Sequence, residues 1–296
     1  MLKKWLLASC ALACAIAQAA TLKTAKGDVE FDKAPERVVV LDPGMIDTFI
    51  ALGLSDKIVG IPGGRLAEEY GLGDVAQVGT FFEPDLEKLN ELKPDLIVVA
   101  VRTQAKYDDV SKVAKTVDLT LEGKNSFQEG VARLNSVGEV FGKADEAKAL
   151  TEELNGLRDE VKKLAEGKGK VLGLLVNGQK IALYGPQSRA NWLASELGLN
   201  LVHDDKKVGR HGEPVTFEYV AEVNPDWIYA LDRLSAIGQD GASAKQTLDN
   251  PLVHGTTAWK NNQVIYPNTH NIYINVGGPK ALKEVMVELK EAFGGK

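Results

Sequence analysis

Arg102 and Arg233 close two copies of one sixteen-residue pattern. The first copy reads Glu87-Lys-Leu-Asn-Glu-Leu-Lys-Pro94-Asp95-Leu-Ile97-Val-Val-Ala-Val-Arg102; the second reads Glu218-Tyr-Val-Ala-Glu-Val-Asn-Pro225-Asp226-Trp-Ile228-Tyr-Ala-Leu-Asp-Arg233. A guanidinium is a rigid, permanently charged fork that matches pairs of anionic oxygens. Each arginine follows an apolar run that suits a buried strand. It therefore stands at the carboxyl end of a parallel sheet, where α/β proteins hold ligands. Two further side chains have metal-ligand chemistry. His211 lies in Gly209-Arg210-His211-Gly212-Glu213, and Tyr273 lies in Asn271-Ile272-Tyr273-Ile274-Asn275-Val276-Gly277. Imidazole suits iron, and phenolate is a hard oxygen donor that an adjacent metal deprotonates. On position alone, His211 beside glycines reads more readily as a surface-loop residue, and Tyr273 reads equally as a strand residue packing its ring. His203, His254 and His270 have no such support; His270, three residues before Tyr273, is the minor candidate for a substitute ligand, Arg65 a weak further candidate for lining a cleft, and Tyr107 and the tryptophans for stacking.

The elements that must position these groups also come in two similar sets. In each copy a short helix ends at Pro94 or Pro225, and a strand follows. Arg37–Leu41 and Lys170–Val176 read as first strands, each followed by a helical stretch ending at Leu52-Gly53-Leu54 or Leu197-Gly198-Leu199, where glycine permits a left-handed stop. Strands alternating with helices predict a parallel sheet in each half. Between the halves, Ala147, Leu150, Leu154, Leu157, Val161 and Leu164 recur at helical spacing, which predicts one helix from about Lys143 to Glu166, about 35 Å long. A single helix is a stiff strut and implies limited movement of the halves. A final helix is expected from Pro279 to Phe293. The resulting division is 1–19 leader, 20–141 N-terminal lobe, 142–168 connecting helix and 169–296 C-terminal lobe. The fold class is α/β, with two lobes of mostly parallel sheet flanked by helices.

Residues 1–19 read as an export signal: Lys3 and Lys4, an apolar stretch from Trp5 to Ile16, and the small-residue site Ala17-Gln18-Ala19. A lipid anchor at Cys10 or Cys14 is the weaker reading, because the apolar stretch before Cys10 is short. Both cysteines of the 296-residue chain lie in this segment, so cleavage leaves no thiol for disulfides, thiolate metal sites or nucleophilic catalysis. The formal charge is -6, from 35 Lys and Arg against 41 Asp and Glu; loss of Lys3 and Lys4 takes it to -8. Nucleic-acid binding, which needs a basic footprint, is excluded. An anionic ligand must then be held by a few local cations against an unfavourable global field.

The exported, cysteine-free, two-lobed pattern with one connecting helix resembles the helical-linker class of periplasmic binding proteins that serve ABC importers. The motifs around His211, Leu231-Asp232-Arg233 and Tyr273 resemble its catecholate branch, of the enterobactin and vibriobactin kind. That resemblance implies a ferric siderophore as ligand and no intrinsic cofactor. It implies His211 and Tyr273 as iron ligands, and Arg102, Arg189 and Arg233 around the catecholate oxygens. Ser188-Arg189-Ala190-Asn191-Trp192 departs somewhat from the branch pattern. It further implies that Glu87 and Glu218 dock onto arginines of a permease driven by its ATPase, and that the receptor is a periplasmic monomer. Read alone, each glutamate is an ordinary carboxylate at a helix start, favourable near the positive end of the dipole. A tris-catecholate fills six positions at iron, whereas a bis-catecholate leaves two that a His and a Tyr complete.

Haem or a divalent metal is the alternative ligand within the same architecture. Four scattered histidines lack the spacing of a zinc or manganese cluster, while Tyr or His can ligate haem iron. A secreted hydrolase using His211 with Asp232 or Glu213 lacks a G-x-S-x-G elbow or any activated nucleophile, and the reading is non-enzymatic.

Overall fold

In the computed structural model, which describes residues 20–123, 125–185, 188–202 and 212–294, the β-branched run Val38–Val40 is the centre of a parallel sheet. The leader with Cys10 and Cys14, together with His203 and His211, lies outside the described residues. The chain opens with a hairpin, β1 (Ala20–Thr24) and β2 (Gly27–Phe31). The first half continues with β3 (Val38–Val40), α1 (Pro43–Ala51), β4 (Ile58–Ile61), α2 (Leu66–Glu69), β5 (Ala76–Gln77), α3 (Leu86–Leu92), β6 (Leu96–Val99), α4 (Tyr107–Val110), β7 (Thr116–Asp118) and α5 (Ser126–Val140). Its sheet order is β5-β4-β3-β6-β7, parallel at every pairing.

The connecting helix α6 runs from Ala144 to Ala165, 22 residues, and Gly167 and Gly169 follow it at φ +73° and +86°. The second half contains β8 (Lys170–Asn177), β9 (Lys180–Leu183), α7 (Asn191–Ser195), β10 (Asn200–Leu201), β11 (Glu213–Val215), α8 (Phe217–Val223), β12 (Trp227–Asp232) and α9 (Arg233–Ala236). Short helices α10 (Ala244–Leu248), α11 (Pro251–His254) and α12 (Thr257–Lys260) lead to β13 (Val264–Ile265), α13 (Thr269–Tyr273) and α14 (Pro279–Gly294). Here the sheet is mixed. β8 pairs in parallel with β12 and β10, and β12 with β13; β9 runs antiparallel to β8, and β11 antiparallel to β9. The departure from a purely parallel expectation begins at Gly178, whose φ of +60° turns the chain into a tight hairpin straight after β8. The helix before Leu197-Gly198-Leu199 is present as α7, but a strand precedes it.

The repeat seen in the sequence is a physical one. Asp85 caps α3 by accepting from Lys88 N, and Thr216 caps α8 by accepting from Tyr219 N. Both helices stop on a left-handed residue, Lys93 at φ +46° and Asn224 at φ +42°. The aspartates after the two prolines then clamp the neighbouring strand start. Asp95 accepts from Glu36 N and Arg37 N, and Asp226 accepts from Lys170 N. The strands that follow are buried throughout β6 and from Trp227 to Leu231 in β12, as strands covered on both faces must be.

A second junction joins the halves besides α6. The last helix, α14, packs against α6 and also against α1 of the first half. Asp47 of α1 accepts from Lys280 N at 3.2 Å, Ala281 N at 3.0 Å and Asn275 Nδ2 at 2.8 Å, so a first-half carboxylate caps the final helix. Arg133 of α5 donates to the Val276 carbonyl at 3.1 Å. Backbone contact is close here: a Cβ on Gly130 would fall 2.5 Å from the Gly277 carbonyl oxygen.

Candidate functional site

Three guanidiniums converge on one phenol ring. Arg102, Arg189 and Arg233 place their central carbons 5.9, 5.0 and 5.9 Å from the centroid of Tyr273. Each comes from a different element. Arg102 sits in the loop after β6, directly after Val101, whose φ of +39° is a strained conformation for a β-branched residue. The loop is tied by Val101 N donating to Thr120 Oγ1 at 2.8 Å and by Thr103 Oγ1 donating to the Ala100 carbonyl. Arg189 lies between β9 and α7, in a turn held by Ser188 Oγ. Arg233 opens α9 at the end of β12, whose cap Asp232 accepts from Ser235 N and Ala244 N.

The arginines are held chiefly by neutral groups. Arg102 donates to the Tyr273 carbonyl at 2.7 Å and the Ile274 carbonyl at 3.3 Å, and Arg189 donates to the same Tyr273 carbonyl at 2.8 Å. These carbonyls end the short helix α13 and lack intrahelical partners. Arg233 Nε donates to Tyr273 Oη at 3.2 Å, and its Nη1 to Asn177 Oδ1 at 3.3 Å. Among the described residues, none of the three has a carboxylate within 4.0 Å. Burial, and then Arg189, pull the Arg102 pKa down from its ordinary value, and Asp42 opposes them. Asp42 is itself buried, accepts from Met45 N as the cap of α1, and is pushed up by burial. Below the cluster, burial raises the phenol of Tyr184 to about 12, offset in part by Arg189. The outcome is a group of like charges in an acidic chain, kept in place by carbonyls and an aromatic face.

Tyr273 itself is 4% exposed and closes α13, a helix where the sequence read equally as strand. Glu87 and Glu218 occupy equivalent exposed positions, the second residues of α3 and α8. Hydrogen bonds from its own backbone N–H and from the Thr216 hydroxyl lower the Glu218 carboxyl. Arg65 pairs with Glu69 and, with His270, lines a separate cavity at the junction of the halves. His254 pairs with Asp249 and packs on Trp259, and Tyr107 bonds the Thr116 carbonyl under Lys26; neither joins the arginines. Sequence reasoning missed Asn177, Tyr184 and Asp42. Asn177 and Asp42 do carry a signal, since each ends or follows a first strand of its sheet. Among the described residues no group of three or more His, Cys, Asp or Glu is placed to hold a metal.

Two α/β halves, a single connecting helix and a cationic site where they meet define a substrate-binding protein of the helical-linker kind. Residues 38–268 match the periplasmic binding protein family, and the chain belongs to it. It is 32% identical over 272 residues to the petrobactin-binding protein YclQ of Bacillus subtilis, covering 90% of this chain and 86% of the relative. The crystal structure of YclQ superposes with a TM-score of 0.87, over 94% of this chain and 100% of that one, at 30% identity. The ferric-anguibactin-binding protein FatB of Vibrio anguillarum is 28% identical, over 90% of this chain and 85% of its own. The periplasmic catecholate-siderophore binding protein VctP of Vibrio cholerae has a TM-score of 0.84 at 25% identity, with 92% and 99% covered. No helix of the described residues is long and apolar enough to cross a membrane.

Proposed function

We propose that this chain is an exported, non-catalytic receptor that holds a ferric catecholate siderophore at the junction of its halves and hands it to an ABC permease. The observation that carries the reading is the arginine triad around Tyr273, with no carboxylate partner within 4.0 Å among the described residues. A ferric catecholate is multiply anionic, and its oxygen pairs match the guanidinium fork. The names of the relatives, which bind petrobactin, ferric anguibactin and catecholate siderophores, support the same class. Tyr273 Oη is held by Arg233, so coordination exchanges that bond: Arg233 turns to the ligand and the phenolate to iron. His211 is the second protein ligand, filling with Tyr273 the two positions that a bis-catecholate leaves open. Lobes 20–141 and 169–296, joined by the helix between them, present Glu87 and Glu218 to the permease, and the receptor acts as a monomer.

Trp192, at the start of α7 and three residues from Arg189, is a nearby fluorescent reporter. Titration with a ferric bis-catecholate is expected to quench tryptophan emission with saturation, more tightly than with a ferric tris-catecholate or hemin. Absence of binding by both catecholate complexes overturns the reading, and a Soret shift with hemin alone replaces it with haem. His211→Ala and Tyr273→Phe are each expected to weaken the bis-catecholate at least tenfold more than the tris-catecholate. Equal losses remove them as iron ligands.

A further inference from the structure

Two of the five large apolar side chains exposed among the described residues lie within the five residues before Glu87: Phe82, 65% exposed, and Leu86, 41%. Phe82 stands at the tip of a tied loop between β5 and α3. Thr80 N donates to the Glu83 carbonyl at 3.0 Å, and Thr80 Oγ1 accepts from Phe82 N at 3.3 Å and from Glu83 N at 3.0 Å. Gly79 forms an antiparallel bridge with Pro84 at φ +87°, where a Cβ would strike the Glu83 carbonyl oxygen. Buried Val78 roots the loop: its N–H donates to the Ile61 carbonyl, and its own carbonyl accepts from Asp85 N. Phe81 packs against the core, which leaves its neighbour Phe82 outside. An aromatic ring held out on a tied turn adds nothing to its own core. It is also presented to a partner at little cost in ordering the loop.

The charges around the tip describe its partner. Residues 81–91 carry Glu83, Asp85, Glu87 and Glu91 against Lys88 alone, whose amine lies 3.9 Å from Asp85. A second copy of this chain meeting the surface face to face would set these acids against themselves. A complementary partner is basic and has an apolar recess. The loop after β5 opens at the same carboxyl edge of the parallel sheet as Arg102, and β5 is three strand spacings, about 14 Å, from β6. The tip therefore stands beside the arginine cluster and not in it. We propose that Phe82, with Leu86, is the apolar anchor of the first half's docking surface, and that it enters an apolar recess of the permease next to the cation that takes Glu87. The inference rests on the reading that Glu87 docks on a permease, and adds an apolar contact to it. The equivalent stretch of the second half is built differently. Glu213 of β11 stands at the position of Phe82, and Phe217, at that of Leu86, packs half-buried against its own core. Two equivalent glutamates alone allow docking in two orientations, half a turn apart; an anchor on one half selects one of them.

The test compares Phe82→Ala and the conservative Phe82→Leu with wild type in the full chain. Two quantities are read: affinity for a ferric bis-catecholate by fluorescence titration, and uptake of that complex, labelled with radioactive iron, by cells whose only receptor is the variant. Phe82→Ala is expected to bind the complex as wild type does and to lower uptake at least about tenfold, as loss of an aromatic hot spot predicts. Raising the amount of receptor should restore uptake, because docking and not ligand binding is weakened. Phe82→Leu keeps most of the apolar area and is expected to retain most of the uptake. Glu87→Lys, made in parallel, separates the two readings. Uptake lost in Glu87→Lys but unchanged in Phe82→Ala overturns the anchor and leaves docking through Glu87 intact. Uptake unchanged in both overturns docking and anchor together. Ligand affinity that falls with uptake in Phe82→Ala overturns the anchor by placing Phe82 in the ligand site. A wild-type dimer that Phe82→Ala makes monomeric, by analytical ultracentrifugation, overturns it by giving the tip to a second copy. If cells with the wild-type receptor take up no complex, the siderophore reading fails and the anchor fails with it.

Discussion

Arg233 shows what each member of the triad contributes. Its guanidinium links Tyr273 Oη to Asn177, and it is only partly buried, so the fold depends on it little. Arg233→Gln is expected to weaken a ferric bis-catecholate by about 2–3 kcal/mol, because it truncates one partner of a desolvated charge pair. Unfolding free energy in urea should change by under about 1 kcal/mol. Arg233→Lys keeps the charge and loses the fork, and is expected to recover only part of the affinity. Full recovery by lysine would show that net charge alone matters. Arg102 and Arg233 were legible from sequence because the Pro-Asp repeat fixes them at strand ends. Tyr184 was not: its relation to the triad depends on how separate strands and loops come together, which no local pattern states. Arg189 shows the same limit, since nothing around it but the family pattern marked it.

At the scale of elements, the repeat was legible because its chemistry is local: a cap, a left-handed stop and an aspartate that clamps the next strand. The mixed second sheet was not, since one glycine at position 178 decides whether a helix or a hairpin follows β8. The loop after β6 shows how an element aims a side chain. Val101 at φ +39° sits in a conformation that costs of order 1–3 kcal/mol for such a residue, and Arg102 follows it immediately. Val101→Gly removes that strain and is expected to raise unfolding free energy by about 1 kcal/mol. It also frees the loop and should lower ligand affinity several-fold, so stability and binding move in opposite directions. A fall in both, by urea denaturation and fluorescence titration, would show that Val101 acts through its packing instead. The equivalent seats of Glu87 and Glu218 on α3 and α8 have another consequence. A receptor that docks through both is expected to tolerate Glu87→Lys or Glu218→Lys in ligand binding while losing iron uptake in cells that depend on it.

For the whole molecule, the acidic composition and the cationic site are reconciled by where charge is kept. Carboxylates cover the exterior, while the junction of the halves concentrates buried polar groups: Asp42, Asp47, Arg102, Arg133 and the phenols of Tyr70 and Tyr184. Asp47 of the first half caps α14, so the junction ties the last helix of the second half to the first. The buried tyrosines give stability a dependence on alkaline pH. Tyr184 is 1% exposed, and burial raises its hydroxyl from 10.0 to about 12. An acid whose folded pKa is raised binds its proton more tightly in the native state, so its contribution is complete below pH 10 and declines as pH rises towards 12. One proton held across that window corresponds to about 1.4 kcal/mol lost by pH 11 and about 3 kcal/mol in all. Tyr229, fully buried and likewise raised by burial, adds a decline of the same sign. The wild-type chain is therefore expected to lose stability from pH 10 upward, whereas Tyr184→Phe, having no proton to release, declines less steeply. Urea unfolding of both proteins at pH 8 and pH 11 measures the difference: the variant should lose about 1.4 kcal/mol less than wild type over that interval. Parallel curves would mean that Tyr184 titrates in the folded protein as it does in the unfolded chain, and that alkaline loss at the junction is carried by the other tyrosines.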